Sequence, residues 1–125
     1  MSTPKELRYT KEHEWVSIDN NIATIGITDH AQGQLGDIVF VELPDLESSI
    51  NQDDVFGVVE AVKTVADLFA PVSGKIIEIN SDLEESPDLL NSDPYESGWI
   101  IMTAVDNLDE YNNLMSNLDY EDFIK

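Results

Sequence analysis

The sequence predicts a mostly β protein: a small sandwich or barrel of antiparallel sheets, with a short internal helix and a C-terminal helix. Three observations lead there. Short runs rich in Val, Ile, Phe and Thr recur along the chain, bounded by Asn, Asp, Gly or Pro. No full-length helical pattern alternates with them, as a parallel α/β sheet requires. From Asp106 onward the period changes, with Leu108, Tyr111, Leu114, Met115 and Leu118 at helical spacing.

The elements follow in order. In EWVSIDNNIATIGIT two apolar runs flank Asn20-Asn21; Asn tolerates a positive φ, so the pair reads as a hairpin turn. In TDHAQGQLG, Thr28 is the candidate N-cap and Gly36 the candidate stop of a short helix. DIVFVELP is a strand ended by Pro44, and residues 51–54 form a turn into the strand DVFGVVEAV. TVADLFAP continues extended to Pro71, and Gly74 opens a strand carrying Ile76, Ile77 and Ile79. LEESPDLLN reads as one or two helical turns, with Ser86 capping and Pro87 at the first helical position. WIIMTAV is the last strand, and the tail from Asn107 to about Ile124 reads as one amphipathic helix.

The chain has 125 residues, enough for one domain that buries a core without covalent staples. It has no cysteine, which excludes a disulfide framework, thiolate metal sites and a cysteine nucleophile. Acids outnumber bases 26 to 6, for a net charge of −20. Nucleic acid and anionic membranes are excluded as partners, because both are held by Lys and Arg. Neither a signal core nor a run of about 20 apolar residues occurs.

Against this acidity one amine stands out. Lys63, within GVVEAVKTVADLFAPVSG, is the sole Lys or Arg between Lys11 and Lys75. Val58, Glu60 and Val62 alternate with Val59, Ala61 and Lys63, and the pattern resumes over 65–69. If the two runs pair, Lys63 and Thr64 lie near a hairpin tip, although Lys-Thr is poor chemistry for a primed two-residue turn. A tip lysine is either an ordinary solvated charge or an attachment point, since its long stem carries an amine that acylation turns into a stable amide.

Four blocks, YTKEHEWV (9–16), ATIGITDHAQGQLGDIVFVELP (23–44), FGVVEAVKTVADLFAPVSGKIIEIN (56–80) and LLNSDPYESGWI (89–100), resemble in order those of the H proteins of the glycine cleavage system. The resemblance implies one lipoyl-carrier domain over 1–125, with a core of about 7–105 and a C-terminal helix of about 107–124. Its fold would be the barrel-sandwich hybrid of lipoyl and biotinyl carriers, with two antiparallel sheets related by a pseudo-twofold. It places lipoic acid on the lysine of Glu60-Ala61-Val62-Lys63. Ala61 stands where Ser is common, and Ile101 where a lysine often follows the tryptophan. Biotin sites usually flank their lysine with Met, and the lipoyl domains of 2-oxoacid dehydrogenases have Asp-Lys-Ala at the tip; neither matches Val62-Lys63-Thr64.

The resemblance also implies a role. The carrier has no turnover of its own. It takes an aminomethyl group from the pyridoxal-phosphate P protein (glycine decarboxylase), presents it to the T protein (aminomethyltransferase), and is reoxidised by the flavin-containing L protein (dihydrolipoyl dehydrogenase). The loaded arm would fold back on the carrier, where Glu14 and Asp67 would pair with the cargo amine. Glu60, three residues before Lys63, would be read by the lipoyl-attaching enzyme. A relay scaffold donating lipoyl groups to 2-oxoacid dehydrogenase subunits is the alternative role. The expected protein is a monomer of the bacterial cytoplasm, or of the mitochondrial matrix if it is a processed organelle protein. His13 and His30 lack metal-site spacing, and Trp15 and Trp99 read as packing residues.

Overall fold

A computed structural model describes residues 3–125. The hairpin at Asn20-Asn21 forms as expected. Strands β2 (Glu14–Asp19) and β3 (Ile22–Ile27) pair antiparallel with Asp19 opposite Ile22. Both Asn residues have positive φ, 52° and 64°, the hand that matches the twist of the flanking strands. A short strand β1 (Arg8–Tyr9), too brief to register as an apolar run, adds to the edge of β2.

Helix α1 (Asp29–Leu35) begins and ends where its caps predict. The Thr28 side chain accepts the Ala31 N–H, and the Gly36 N–H closes the last turn on Gln32. Six strands follow: β4 (Ile38–Glu42), β5 (Ser49–Ile50), β6 (Val55–Ala61), β7 (Val65–Phe69), β8 (Gly74–Ile79) and β9 (Ile101–Val105). They complete two antiparallel sheets, one of six strands in the order β1-β2-β3-β9-β8-β5 and one of three in the order β4-β6-β7. Between β8 and β9 lie two single turns, α2 (Asp82–Glu85) and α3 (Leu89–Ser92). Ser86 and Pro87 sit between these turns: Ser86 closes α2 through its N–H to the Asp82 carbonyl, and Asp88 precedes α3. The expected capping role of Ser86 with Pro87 at a first helical position is therefore corrected.

The core draws on both sheets. Val16, Ile25, Ile76 and Ile101 from one, and Val41 and Val59 from the other, are fully or almost fully buried. A second cluster forms around Leu7, Tyr9, Trp15 and Tyr120, with Trp99 packed against it.

The tail departs from the single helix expected. It forms α4 (Leu108–Asn112) and α5 (Asn117–Phe123), separated where Met115 exchanges backbone hydrogen bonds with Tyr9. Ser116 then caps α5 by accepting the Asp119 N–H. Pairing with β1 outcompetes continuous helix here, and Leu108 and Leu118 are left exposed while Tyr120 takes the buried position. Among the described residues no helix is long and apolar enough to cross a membrane.

Candidate functional site

Strands β6 and β7 form the hairpin that carries Lys63, with Glu60 opposite Val65 and the Ala61 N–H donating to Thr64 at 2.8 Å. The two residues at the tip are thus Val62 and Lys63, one step earlier than the sequence pattern placed it. No tip residue has a positive φ, so this is not a primed turn. What holds it is tertiary: the Val62 N–H donates to the Asp37 carbonyl at 3.0 Å, tying the tip to the chain entering β4. Val62 is 75% exposed, and Lys63 is exposed beside it.

The segment that braces the tip is itself braced by Asn91, which sequence reasoning passed over. Its carboxamide oxygen accepts the Ile38 N–H at 3.0 Å. Its Nδ2 donates to the Gly36 carbonyl at 2.8 Å and to Gln32 at 3.1 Å. A polar residue directly after Leu89-Leu90 in a helical turn was the available signal.

Beside the hairpin lies a cleft of about 400 Å³. Ala31, Leu35, Ala66 and Leu68 give it apolar walls, and Glu14, Asp67 and His13 also line it. The fold therefore brings Glu14 and Asp67 to one cavity, from β2 and β7 respectively. Their environments differ: Asp67 is exposed, whereas Glu14 is 1% exposed. The Glu14 carboxylate accepts the Thr10 hydroxyl at 2.5 Å and the Phe69 N–H at 3.2 Å. Burial pushes its carboxyl up to about 7 despite these two bonds, and the charges of Glu12 and Asp53 push the same way. Desolvation outweighs hydrogen bonding because removing a carboxylate from water disfavours its charged form. A second cleft of about 440 Å³ lies on the other side of Glu14, lined by Thr10, Gln52, Pro71 and Met115 among others.

His13, with φ 71°, turns inward at the cleft edge. Its Nδ1 lies 2.8 Å from the Tyr120 hydroxyl, which lies 2.7 Å from Thr28 Oγ1. Burial, then the neighbouring His30, lowers the His13 pKa. Neutral imidazole suits a chain in which Tyr120 donates to Nδ1 and Thr28 donates to Tyr120. Helix α5 is thereby joined to the N-cap of α1. The His13 and His30 rings are 4.9 Å apart, yet among the described residues no group of three or more His, Asp or Glu could hold a metal ion.

Glu60 points away from this cleft. On the outer face of the three-stranded sheet it lies half-buried between Phe40 of β4 and Val65 of β7, its direct cross-strand partners. Those two are 50% and 59% exposed, so a carboxylate framed by apolar side chains stands three residues from Lys63.

Two antiparallel sheets with a lysine at an exposed hairpin tip make this a small domain of the barrel-sandwich hybrid class. The model of the family described as Glycine cleavage H-protein matches residues 7–125, and the chain belongs to that family. It is 54% identical over 125 residues to the glycine cleavage system H protein of Bacillus licheniformis, covering 100% of this chain and 98% of that protein. To the H protein of Staphylococcus epidermidis it is 51% identical over 124 residues, with 99% and 98% covered. Among solved structures, a glycine cleavage system H protein from Mycobacterium marinum superposes with a TM-score of 0.89 at 34% identity, over 95% of this chain and 96% of that one.

Proposed function

We propose that this protein is the lipoyl carrier of a glycine cleavage system, with lipoic acid attached through an amide to Lys63. It would receive an aminomethyl group from glycine decarboxylase, present it to an aminomethyltransferase, and pass reducing equivalents to a dihydrolipoyl dehydrogenase. The observation that carries this reading is the placement of Lys63 at an exposed tip, next to a cleft with apolar walls whose lining includes the carboxyl groups of Glu12, Glu14 and Asp67.

The residues present fit the group. The cleft's Ala31, Leu35, Ala66 and Leu68 offer an apolar lining to a dithiolane, and Glu14 and Asp67 offer charge to an amine. When bound, lipoate supplies a disulfide that takes up the one-carbon amine and two electrons as glycine is decarboxylated. Everything else falls to this chain. Lys63 tethers, so that the cargo is presented at high effective concentration within a short reach. Glu14 is held by Thr10 and Phe69 in a dry wall, where a cationic amine beside it would favour release of its proton to solvent and pair with the resulting carboxylate. Asp67, at the open side, adds a weaker, solvent-screened attraction. Glu60, framed by Phe40 and Val65, is the feature we assign to recognition by the enzyme that attaches lipoate.

The test is reconstitution. Lipoylated protein should support exchange of labelled bicarbonate into glycine by glycine decarboxylase, and the Lys63→Arg variant should not. Equal exchange with both would remove Lys63 from the role.

A further inference from the structure

The Lys63 side chain does not stand straight out from its tip. Its Cε would lie 3.3 Å from a Cβ placed on Gly36, and its Nζ 3.9 Å. Gly36 ends α1 with φ 79° and ψ −155°, a backbone region open essentially to glycine alone. The lysine stem therefore lies on bare main chain. No ion pair draws it there: among the described residues the ion pairs are Lys75 with Glu47 and Lys125 with Asp122.

The floor under the stem is fixed from three sides. The Gly36 N–H bonds the Gln32 carbonyl at 3.0 Å, the Gly36 carbonyl accepts from Asn91, and the next carbonyl, of Asp37, accepts from the tip at Val62. Immediately before Gly36, the last turn of α1 supplies Gln34 and Leu35 to the cleft wall, with Ala31 one turn deeper. A chain leaving Lys63 across Gly36 thus arrives at the cleft containing Asp67 and Glu14.

We propose that Gly36 is a positioning residue: a side-chain-free saddle over which the acylated arm of Lys63 passes from the hairpin tip into the cleft. This rests on the lipoyl reading given above. A methyl group at position 36 would stand 3.3 Å from the Cε of the stem, tight enough to push the arm outward from the saddle.

Two measurements test it. First, lipoylated wild-type and Gly36→Ala proteins are loaded with the one-carbon amine, and ammonia release is followed without the transferase, with amide NMR spectra of the unloaded proteins as the check on folding. Release about tenfold faster from a folded Gly36→Ala protein is expected; release at the wild-type rate would overturn the proposal. Second, because the substitution also strains the backbone, the saddle is read with Gly36 intact. The chain has no cysteine, so Lys63→Cys and Val62→Cys proteins can each carry one dansyl group on an amine-containing linker. Blue-shifted emission from position 63 and water-like emission from position 62 are expected. Water-like emission from both would overturn the saddle. Failure of the lipoyl reading shows itself separately, as an unmodified mass for Lys63, and leaves the dansyl comparison valid.

Discussion

The Glu14 carboxylate accepts the Phe69 N–H at 3.2 Å, joining β2 of one sheet to β7 of the other. A buried acid thus stitches the two sheets together at the base of the hairpin that bears Lys63. The same group is the strongest candidate to meet a cationic cargo, so its protonation links stability to function.

The sign of that linkage is unusual for a carboxyl. Burial raises Glu14 from 4.5 to about 7 in the folded protein. Its contribution to stability is fully present below about pH 4.5 and is lost as pH rises through about 7, by an amount approaching about 3 kcal/mol. The unfolding free energy of the wild type minus that of Glu14→Gln should fall between pH 5 and 8. His13 and the surface acids are common to both proteins and cancel. A flat difference across that range would show that Glu14 titrates normally.

Neutralising Glu14 and Asp67 together should expose the cargo. Glu14→Gln with Asp67→Asn is expected to speed release of the carried amine about tenfold at pH 8, with most of the effect from Glu14, since an exposed pair such as Asp67 offers is worth only about 0–1 kcal/mol. The check is ammonia release from the loaded protein, compared among the double and both single variants.

Glu60 should matter to attachment and not to folding. Glu60→Ala is expected to lower the rate of enzymatic lipoylation about tenfold, with a thermal midpoint close to wild type because the residue is only half-buried on the outer sheet face. Time courses of lipoylation read by mass, alongside thermal unfolding, separate the two effects.

The C-terminal helix is held by a hydroxyl. Tyr120→Phe keeps the stack on Tyr9, whose ring lies 4.7 Å away at 9°, but removes the link between His13 and Thr28. A loss of about 1–2 kcal/mol is expected, with increased hydrogen exchange in α5 and the first turn of α1. Unchanged exchange at both ends would mean that the two helices are not coupled through this chain of hydroxyls.

Gly74 marks where the sheet leaves no room. A Cβ there would stand 2.1 Å from the Ala104 carbonyl oxygen, on the strand paired with it. Backbone cannot yield as a side chain tip can, so Gly74→Ala should cost about 3 kcal/mol or more, measured by denaturant unfolding.

Local chemistry was legible in the sequence, and long-range competition was not. Asn20-Asn21 announced a turn because its two residues need only their own backbone freedom. Thr28 and Gly36 bounded a helix because caps act within a turn of the chain. The tail misled, since its helical period is genuine but Met115 pairs with Tyr9, more than a hundred residues away in sequence. The tip was placed one residue late for a similar reason: Val62 is held by Asp37, not by turn propensity. At the site, Lys63, Glu14, Asp67 and Glu60 were picked out through the family blocks. Thr10 and Asn91 lie within those blocks and Tyr120 outside them, but the roles of all three become visible only when distant segments meet.

The central claim is that Lys63 carries the lipoyl group. The most direct measurement is the intact mass of the protein, with peptide mapping, after expression in cells supplied with lipoate. One added lipoyl group is expected, on Lys63 and on no other lysine. An unmodified Lys63, in cells that lipoylate a control domain, would contradict it.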